Sequence, residues 1–458
     1  MFNRVMDYGK KIDLLIKEKT GCELPRLLLF VFIISTFAIT LIRAAITQIT
    51  YDEAMTYLYW CRPAIFRPEG MKEIYFNSNA NNHLLNTYMI TLFDHFFKHP
   101  YNEFVIRLPQ LLFFLLYLAI IVVLYRKKQL SASVAVFLTA NYYLDEFYGL
   151  ARGYAMSNTL MLCACISYLA FKRSKYTEDK YLILCSAFYA FSITANTVAL
   201  LLLPSFGFMW LMALKGRLIK TIKKHAVYLL LWFGFLGIMT GYHMIVTQQK
   251  TLFTGLERGF FDCYFISISR MFINNLLYAK ILGAFFVALL VLFVILLIYH
   301  KNFLDCDFFC GLLIFLAVSI IAQLIFKKGY ATERELIPFY SFFVFAVWEA
   351  GSQLCGCIKV LDLNSAAMKY CVGILCILLV CNYYRQLDIS ATRDWNWEYS
   401  SNGNYDYGRK EHTIKQYIVS QGDWDKMPIE KRSESDLFYI NYLDRIYIDA
   451  ELEYDAPY

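Results

Sequence analysis

The chain has 458 residues, 59% hydrophobic and 18% charged, with 44 Lys and Arg against 37 Asp and Glu for a net charge of +7. Soluble domains sit near half apolar and a quarter charged, so this balance excludes a soluble enzyme, a disordered scaffold and a fibrous protein. The positive charge is not a nucleic-acid signature, because the basic residues flank apolar runs and do not line one polar face.

A basic stretch (Arg4, Lys10, Lys11, Lys17, Lys19) opens the chain; it is too long and too mixed for a signal peptide. Apolar runs of bilayer length follow at 27–46, 104–125, 130–149, 153–171, 180–195, 197–214, 226–246, 276–299, 308–326, 338–357 and 369–384. The pattern predicts an all-α, polytopic membrane protein of about eleven spans, with an interfacial helix over 82–97 in its first outer loop. It divides into a multi-pass domain over 1–384, whose first outer loop is 47–103, and a small external segment over 385–458 that carries Trp395, Trp397, Trp424 and many Tyr.

Lys and Arg set the expected orientation. Arg126, Lys127 and Lys128, then Lys172, Arg173 and Lys175, then 215–224 form short basic inner turns. The long segments 47–103 and 247–275, the 327–337 turn and the tail fall on the opposite side. Usage of Tyr, Asn, Ile and Lys points to an AT-rich bacterial genome, and the expected location is the bacterial inner membrane with the site facing the periplasm or exterior. Most of the 13 cysteines lie in apolar runs, among them Cys163, Cys165, Cys185, Cys371, Cys376 and Cys381, and read as packing. Cys61 and Cys263 fall in outer loops, where a disulfide stays open.

Charge at the membrane surface is costly and marks candidate chemistry. The first outer loop begins with Asp52 and Glu53 among Tyr51, Tyr57, Tyr59 and Trp60. One of the acids suits a general base and the other a support; both also suit a helix N-terminus. His83 opens the 82–97 stretch, either as a substrate or phosphate contact or as a satisfied surface histidine. Arg107 sits at the outer end of the second span, where it can pair or snorkel, with Pro109 expected in the first turn of that helix. A short turn holds Asp145, Glu146, Tyr148, Arg152 and Tyr154, with Gly149 and Gly153 permitting close backbone approach. Arg152 there suits bidentate capture of a phosphate, or a plain ion pair with Glu146 or Asp145. Lys327, Lys328 and Arg334 form a positive cluster on a side that should be poor in them, which fits a trapped anion or anionic headgroups.

The order of these pieces resembles the C-type (GT-C) membrane glycosyltransferases, in the branch of the protein O-mannosyltransferases and aminoarabinose transferases. The pieces are Asp52-Glu53-Ala54, then Asn82-His83-Leu84-Leu85, Arg107-Leu108-Pro109 and Ala151-Arg152-Gly153-Tyr154-Ala155. The motifs cover roughly residues 25–240 and the remainder matches by topology alone. Where the family has His-Pro-Pro or Lys-Pro-Pro, this chain keeps the basic His83 and replaces both prolines.

The resemblance implies transfer of a sugar from a polyprenyl-phosphate donor to an acceptor hydroxyl on a lipid, glycan or protein at the outer face. Asp52 maps to the base, with Glu53 beside it. His83, Glu146, Arg152, Tyr154 and Arg334 map to the donor phosphate and substrate. The implied displacement inverts the anomeric centre in one step and requires no cofactor; a divalent metal on the Asp-Glu pair is possible but has no second carboxylate cluster to complete it. The partners are the lipid-linked sugar, its acceptor and membrane lipids, without nucleic acid. Two other readings stand beside it. An outer-face polysaccharide polymerase or ligase would place its large loop late in the chain. A transporter of lipid-linked glycans would show interrupted helices and charge within the spans.

Overall fold

A computed structural model of the chain describes residues 24–47, 53, 56–57, 61, 83–97, 103–214, 219–225, 259–301, 303–326, 330–357 and 366–387. Asp52, the run at 226–246, Lys327, Lys328 and the segment after 387 lie outside the described residues. Within them the chain is helical and holds no strand. Six helices are long and apolar enough to cross a membrane: 25–46, 104–126, 153–173, 197–214, 276–299 and 307–325.

In chain order the helices are α1 (Leu24–Ile46), α2 (Leu84–Phe97), α3 (Glu103–Arg126), α4 (Ala132–Thr139), α5 (Tyr142–Tyr148) and α6 (Gly153–Arg173). They continue with α7 (Asp179–Ala195) and α8 (Leu203–Leu214), the latter preceded by a 3-10 turn at Thr197–Leu202. Next come α9 (Leu276–Tyr299), α10 (Asp307–Phe326), a 3-10 helix at Glu333–Phe339, α11 (Tyr340–Cys357) and α12 (Ala366–Gln386).

The central helix is α6, which packs against α7, α3, α11 and the 333–339 helix. Small and hydroxyl side chains bring its partners close. A side chain's first carbon at Gly153 would lie 2.0 Å from the Ala195 carbonyl oxygen and 2.7 Å from the Cβ of His83, so only glycine fits. One turn on, the Ser157 and Ser192 hydroxyls lie 2.8 Å apart and bind each other's backbones, so the α6–α7 contact is polar and close. By contrast α9 buries Ala279, Gly283 and Leu297 and exposes large apolar side chains such as Ile281, Phe285 and Ile295. Such a helix is soluble only in lipid.

The run at 130–149 is not one continuous helix. It breaks at Ala140 and Asn141 into α4 and α5, of eight and seven residues, each about 12 Å or less in length. Asn141 causes the restart: its Oδ1 accepts from the Leu144 amide at 3.1 Å and caps α5. The carbonyls released at the end of α4 find phenols. Tyr117 of α3 donates to the Leu138 oxygen at 2.7 Å, and Tyr340 of α11 donates to that of Phe137. Broken backbone is tolerated in a bilayer where it is buried and satisfied in this way. Two further expectations shift. Pro109 lies past the first turn, because α3 begins at Glu103. Asp145 and Glu146 are on α5, leaving only 149–152 as the turn into α6.

Candidate active site

The C-terminal end of α1 and the N-terminal ends of α2, α3 and α6 meet at one level through buried polar groups. Arg107, fully buried, forms a fork with Glu53: Nε donates to Oε1 and Nη2 to Oε2, each at 2.8 Å. Its Nη1 donates to the carbonyls of Ala44 and Thr47 at 3.0 and 2.5 Å, groups left open where α1 ends. Arg107 therefore pairs inside the protein and does not snorkel. Buried charge is tolerable here because the fork and the carbonyls engage all three guanidinium nitrogens.

Glu53 does a second job. Its Oε1 also accepts from the Ala151 amide at 2.6 Å. The Ala151 carbonyl in turn accepts from Asn86 of α2 at 2.9 Å, and the Asn86 side-chain oxygen accepts from Gln110 of α3 at 2.6 Å. The turn before α6 is thus clamped on both faces of one peptide residue, by the first loop and by α2.

Arg152 follows that clamp and occupies the N-cap of α6, fully buried. Its guanidinium carbon lies 5.5 Å from the ring centroid of Tyr154, within cation–π range. The His83 and Tyr154 rings meet edge-on at 4.9 Å, and Phe147 also meets Tyr154 edge-on at 5.3 Å. His83 is buried, not a surface histidine. The first turn of α6 carries no acidic residue. A cation therefore sits at the positive end of a helix dipole, an arrangement that an anion would relieve.

Glu146 pairs with an arginine of α1. Its Oε1 lies 3.1 Å from Nη2 of Arg43, in the last turns of α1, and both are buried. Asp145 lies buried beside them. Two acids and a guanidinium therefore lie together between α5 and the end of α1. Arg334 is on the 333–339 helix, which packs against α6. The structure thus gathers Glu53, His83, Arg152 and Tyr154 around the 149–152 turn, with Glu146 one helix away and Arg334 on a neighbouring element.

Tyr57 and Cys61 of the first loop lie against α2. The Tyr57 hydroxyl reaches both carboxylate oxygens of Asp94 at 3.3 Å, and the Cys61 thiol points to the Thr87 carbonyl at 3.7 Å. Burial pushes that thiol up, so it stays protonated. No disulfide joins Cys61 and Cys263. Among the described residues no group of three His, Cys, Asp or Glu side chains is arranged to hold a metal. The two oxygens of Glu53 are already occupied by Arg107 and the Ala151 amide.

Sequence reasoning did not single out Arg43, Asn86 or Gln110. Each carried a signal, as a polar side chain inside an apolar stretch. It also passed over a second network at the far end of α6. There Lys172 Nζ binds Glu349 at 2.8 Å, Asp307 at 3.0 Å and the Asp305 carbonyl at 2.9 Å. Tyr168 and Tyr176 donate to the same Asp307 oxygen at 3.0 and 3.1 Å. Comparison of the chain with family models, curated proteins and solved structures finds no match.

Proposed function

We propose that this protein is a membrane glycosyltransferase that moves a sugar from a polyprenyl phosphate to an acceptor hydroxyl. One observation carries the reading: the 2.6 Å bond from the Ala151 amide to Glu53. Asp52 is the chain neighbour of Glu53, and Arg152 is the chain neighbour of Ala151. A candidate base and a candidate phosphate receptor are each one residue from the same hydrogen bond. Charge supports the assignment as well, since a buried guanidinium at a helix N-terminus favours an anion.

In this reaction the acceptor oxygen attacks the anomeric carbon as the bond from that carbon to the phosphate oxygen breaks. Asp52 takes the hydroxyl proton. Arg152 receives the charge of the departing phosphate, helped by His83 and, across the 333–339 helix, by Arg334. The leaving group is already an anion, so cations serve it better than a proton donor. Glu53 holds the geometry and keeps its own charge on Arg107. Tyr154 fixes Arg152 from its ring face. Attack from the side opposite the phosphate inverts the centre. Eleven spans, with this end of α6 facing the periplasm, would suit a lipid donor held at the level of the helix ends.

A second reading, transport of a lipid-linked glycan, is favoured by the break between α4 and α5. Interrupted helices with buried charge are a transporter device, and Asp145, Glu146 and Arg43 lie just beyond the break. Against it, Arg43 is in the last turn of α1 and Arg152 caps α6, so these charges sit at helix ends.

The test is reconstitution in proteoliposomes with a polyprenyl-phosphate sugar and a pool of acceptors, followed by mass spectrometry. Asp52→Asn should abolish transfer at normal insertion, and Arg152→Lys should lower turnover by about tenfold or more, since a fork becomes a point charge. Full turnover in Asp52→Asn removes the base. Movement of intact donor across the bilayer without transfer selects the transport reading.

A further inference from the structure

The 333–339 helix is held at its start by an ion pair to which the transfer scheme assigns no role. Nη1 of Arg270 donates to Oε1 of Glu333, and the two side chains are only 25% and 12% exposed. Such a pair is screened less than a surface bridge. Glu333 has φ of 45°, a left-handed backbone that residues with a Cβ rarely adopt. A conformation of that kind persists when its surroundings over-determine it.

The surroundings do so here. The Glu335 carboxylate accepts from the Thr332 amide at 2.9 Å, and the Thr332 and Ser267 hydroxyls lie 3.2 Å apart. Ser267 and Arg270 belong to a single helical turn at Ser267–Arg270, which follows a π-helical turn at Asp262–Ile266. That piece is itself fixed on several sides. A side chain's first carbon at Gly283 of α9 would lie 3.1 Å from the Phe265 carbonyl carbon and oxygen, so the two backbones touch. Tyr142 of α5 donates to the Arg270 carbonyl at 3.5 Å, and Asn382 of α12 to that of Phe272 at 2.6 Å. A rigid anchor therefore grips the one residue whose backbone sets the direction of the next, Arg334.

We propose that Arg270 and Glu333 form a latch that positions Arg334 for the phosphate of the lipid donor, with Arg270 and Glu333 as positioning residues. The proposal rests on the reading that the Arg152 end of α6 takes a polyprenyl phosphate. With the latch intact, Glu333 stays left-handed and Arg334 keeps its place near the start of the 333–339 helix, the element that packs against α6. With either partner removed, Glu333 relaxes to the ordinary helical region and Arg334 turns with it.

The experiment compares wild type, Arg270→Ala, Glu333→Gln and the exchange Arg270→Glu/Glu333→Arg in nanodiscs. Two readouts are taken: hydrogen exchange over 330–339, and binding of a short-chain polyprenyl monophosphate against the matching polyprenol by native mass spectrometry. The single variants should exchange faster over 330–339 and bind the phosphate about tenfold more weakly, with polyprenol binding unchanged. The exchanged pair should recover both. Arg270→Lys, which keeps the charge but replaces the planar guanidinium by a point charge, gives an intermediate loss and serves if Arg270→Ala fails to insert. Unchanged exchange in the single variants overturns the latch. Faster exchange at unaltered phosphate affinity overturns the role of Arg334. A wild-type protein that does not prefer phosphate to alcohol sinks the donor reading and the phosphate role together, whereas normal transfer by the single variants sinks the latch alone.

Discussion

The two ends of α6 each carry a cation, and the protein treats them in opposite ways. At the C-terminal end Lys172 meets two carboxylates, a carbonyl and, through Asp307, two phenols. A positive charge there also suits the negative end of the helix dipole. At the N-terminal end Arg152 sits against that dipole, on a turn that Glu53 and Asn86 hold rigid. Structure alone accounts for the first end. At the second the cation lies against the helix dipole, and the clamped turn keeps it in place.

The comparison breaks most easily at the clamp. Arg107→Ala leaves Glu53 buried without its fork and should cost about 3–5 kcal/mol, read as lost folded yield and a lower Tm in detergent. Glu53→Leu with Arg107→Leu should recover much of that Tm while transfer stays lost, since the Ala151 amide no longer has its acceptor. A smaller effect is expected at the other end. Lys172→Met should cost about 2 kcal/mol, less than a fully buried charge because Lys172 is part exposed. Turnover per folded molecule should stay near wild type; a fall as large as that of Arg152→Lys would erase the distinction between the ends.

The smallest effect lies beside the far end, at the start of α7. Asp179 lies 2.7 Å from Lys224 and 2.8 Å from His225, and a hydrogen bond from Lys224 holds its carboxyl below the ordinary range. A depressed carboxyl contributes stability that is present above its unfolded pKa of about 4 and is lost as pH falls through its folded value. Lys224 is exposed and Asp179 only half-buried, so the pair is worth under about 1 kcal/mol. Wild type and Asp179→Asn should differ slightly in Tm at pH 7 and converge in strong acid; a difference that grows on acidification contradicts the sign.

Helix positions were legible where periodicity was not needed, because length and apolarity suffice in a bilayer. The run 276–299 coincides with α9, and 153–171 lies within α6. The break at 140–141 was hidden, since Val136, Phe137, Leu138 and Ala140 read as one apolar stretch with no Gly or Pro. Asn141 was the only local clue, and its cap is worth little unless Tyr117 and Tyr340 complete α4. The site was legible as a set of residues and illegible as pairs. Glu53 finds Arg107 across 54 positions, and Glu146 finds Arg43 where proximity in sequence favoured Arg152. Such partners are chosen by helix packing, which no short motif encodes.

The broken segment formed by α4 and α5 also has a bearing on how the protein is made. One of the carbonyls at the end of α4 is served by Tyr340, which lies 203 positions further along the chain. A ribosome that has just released α5 has therefore delivered a segment whose acceptor is still without its donor, and most of the remaining helices must be synthesised before it arrives. Until then this stretch depends on water, translocon or chaperone for its hydrogen bonds, so its insertion is finished from the far end of the polypeptide.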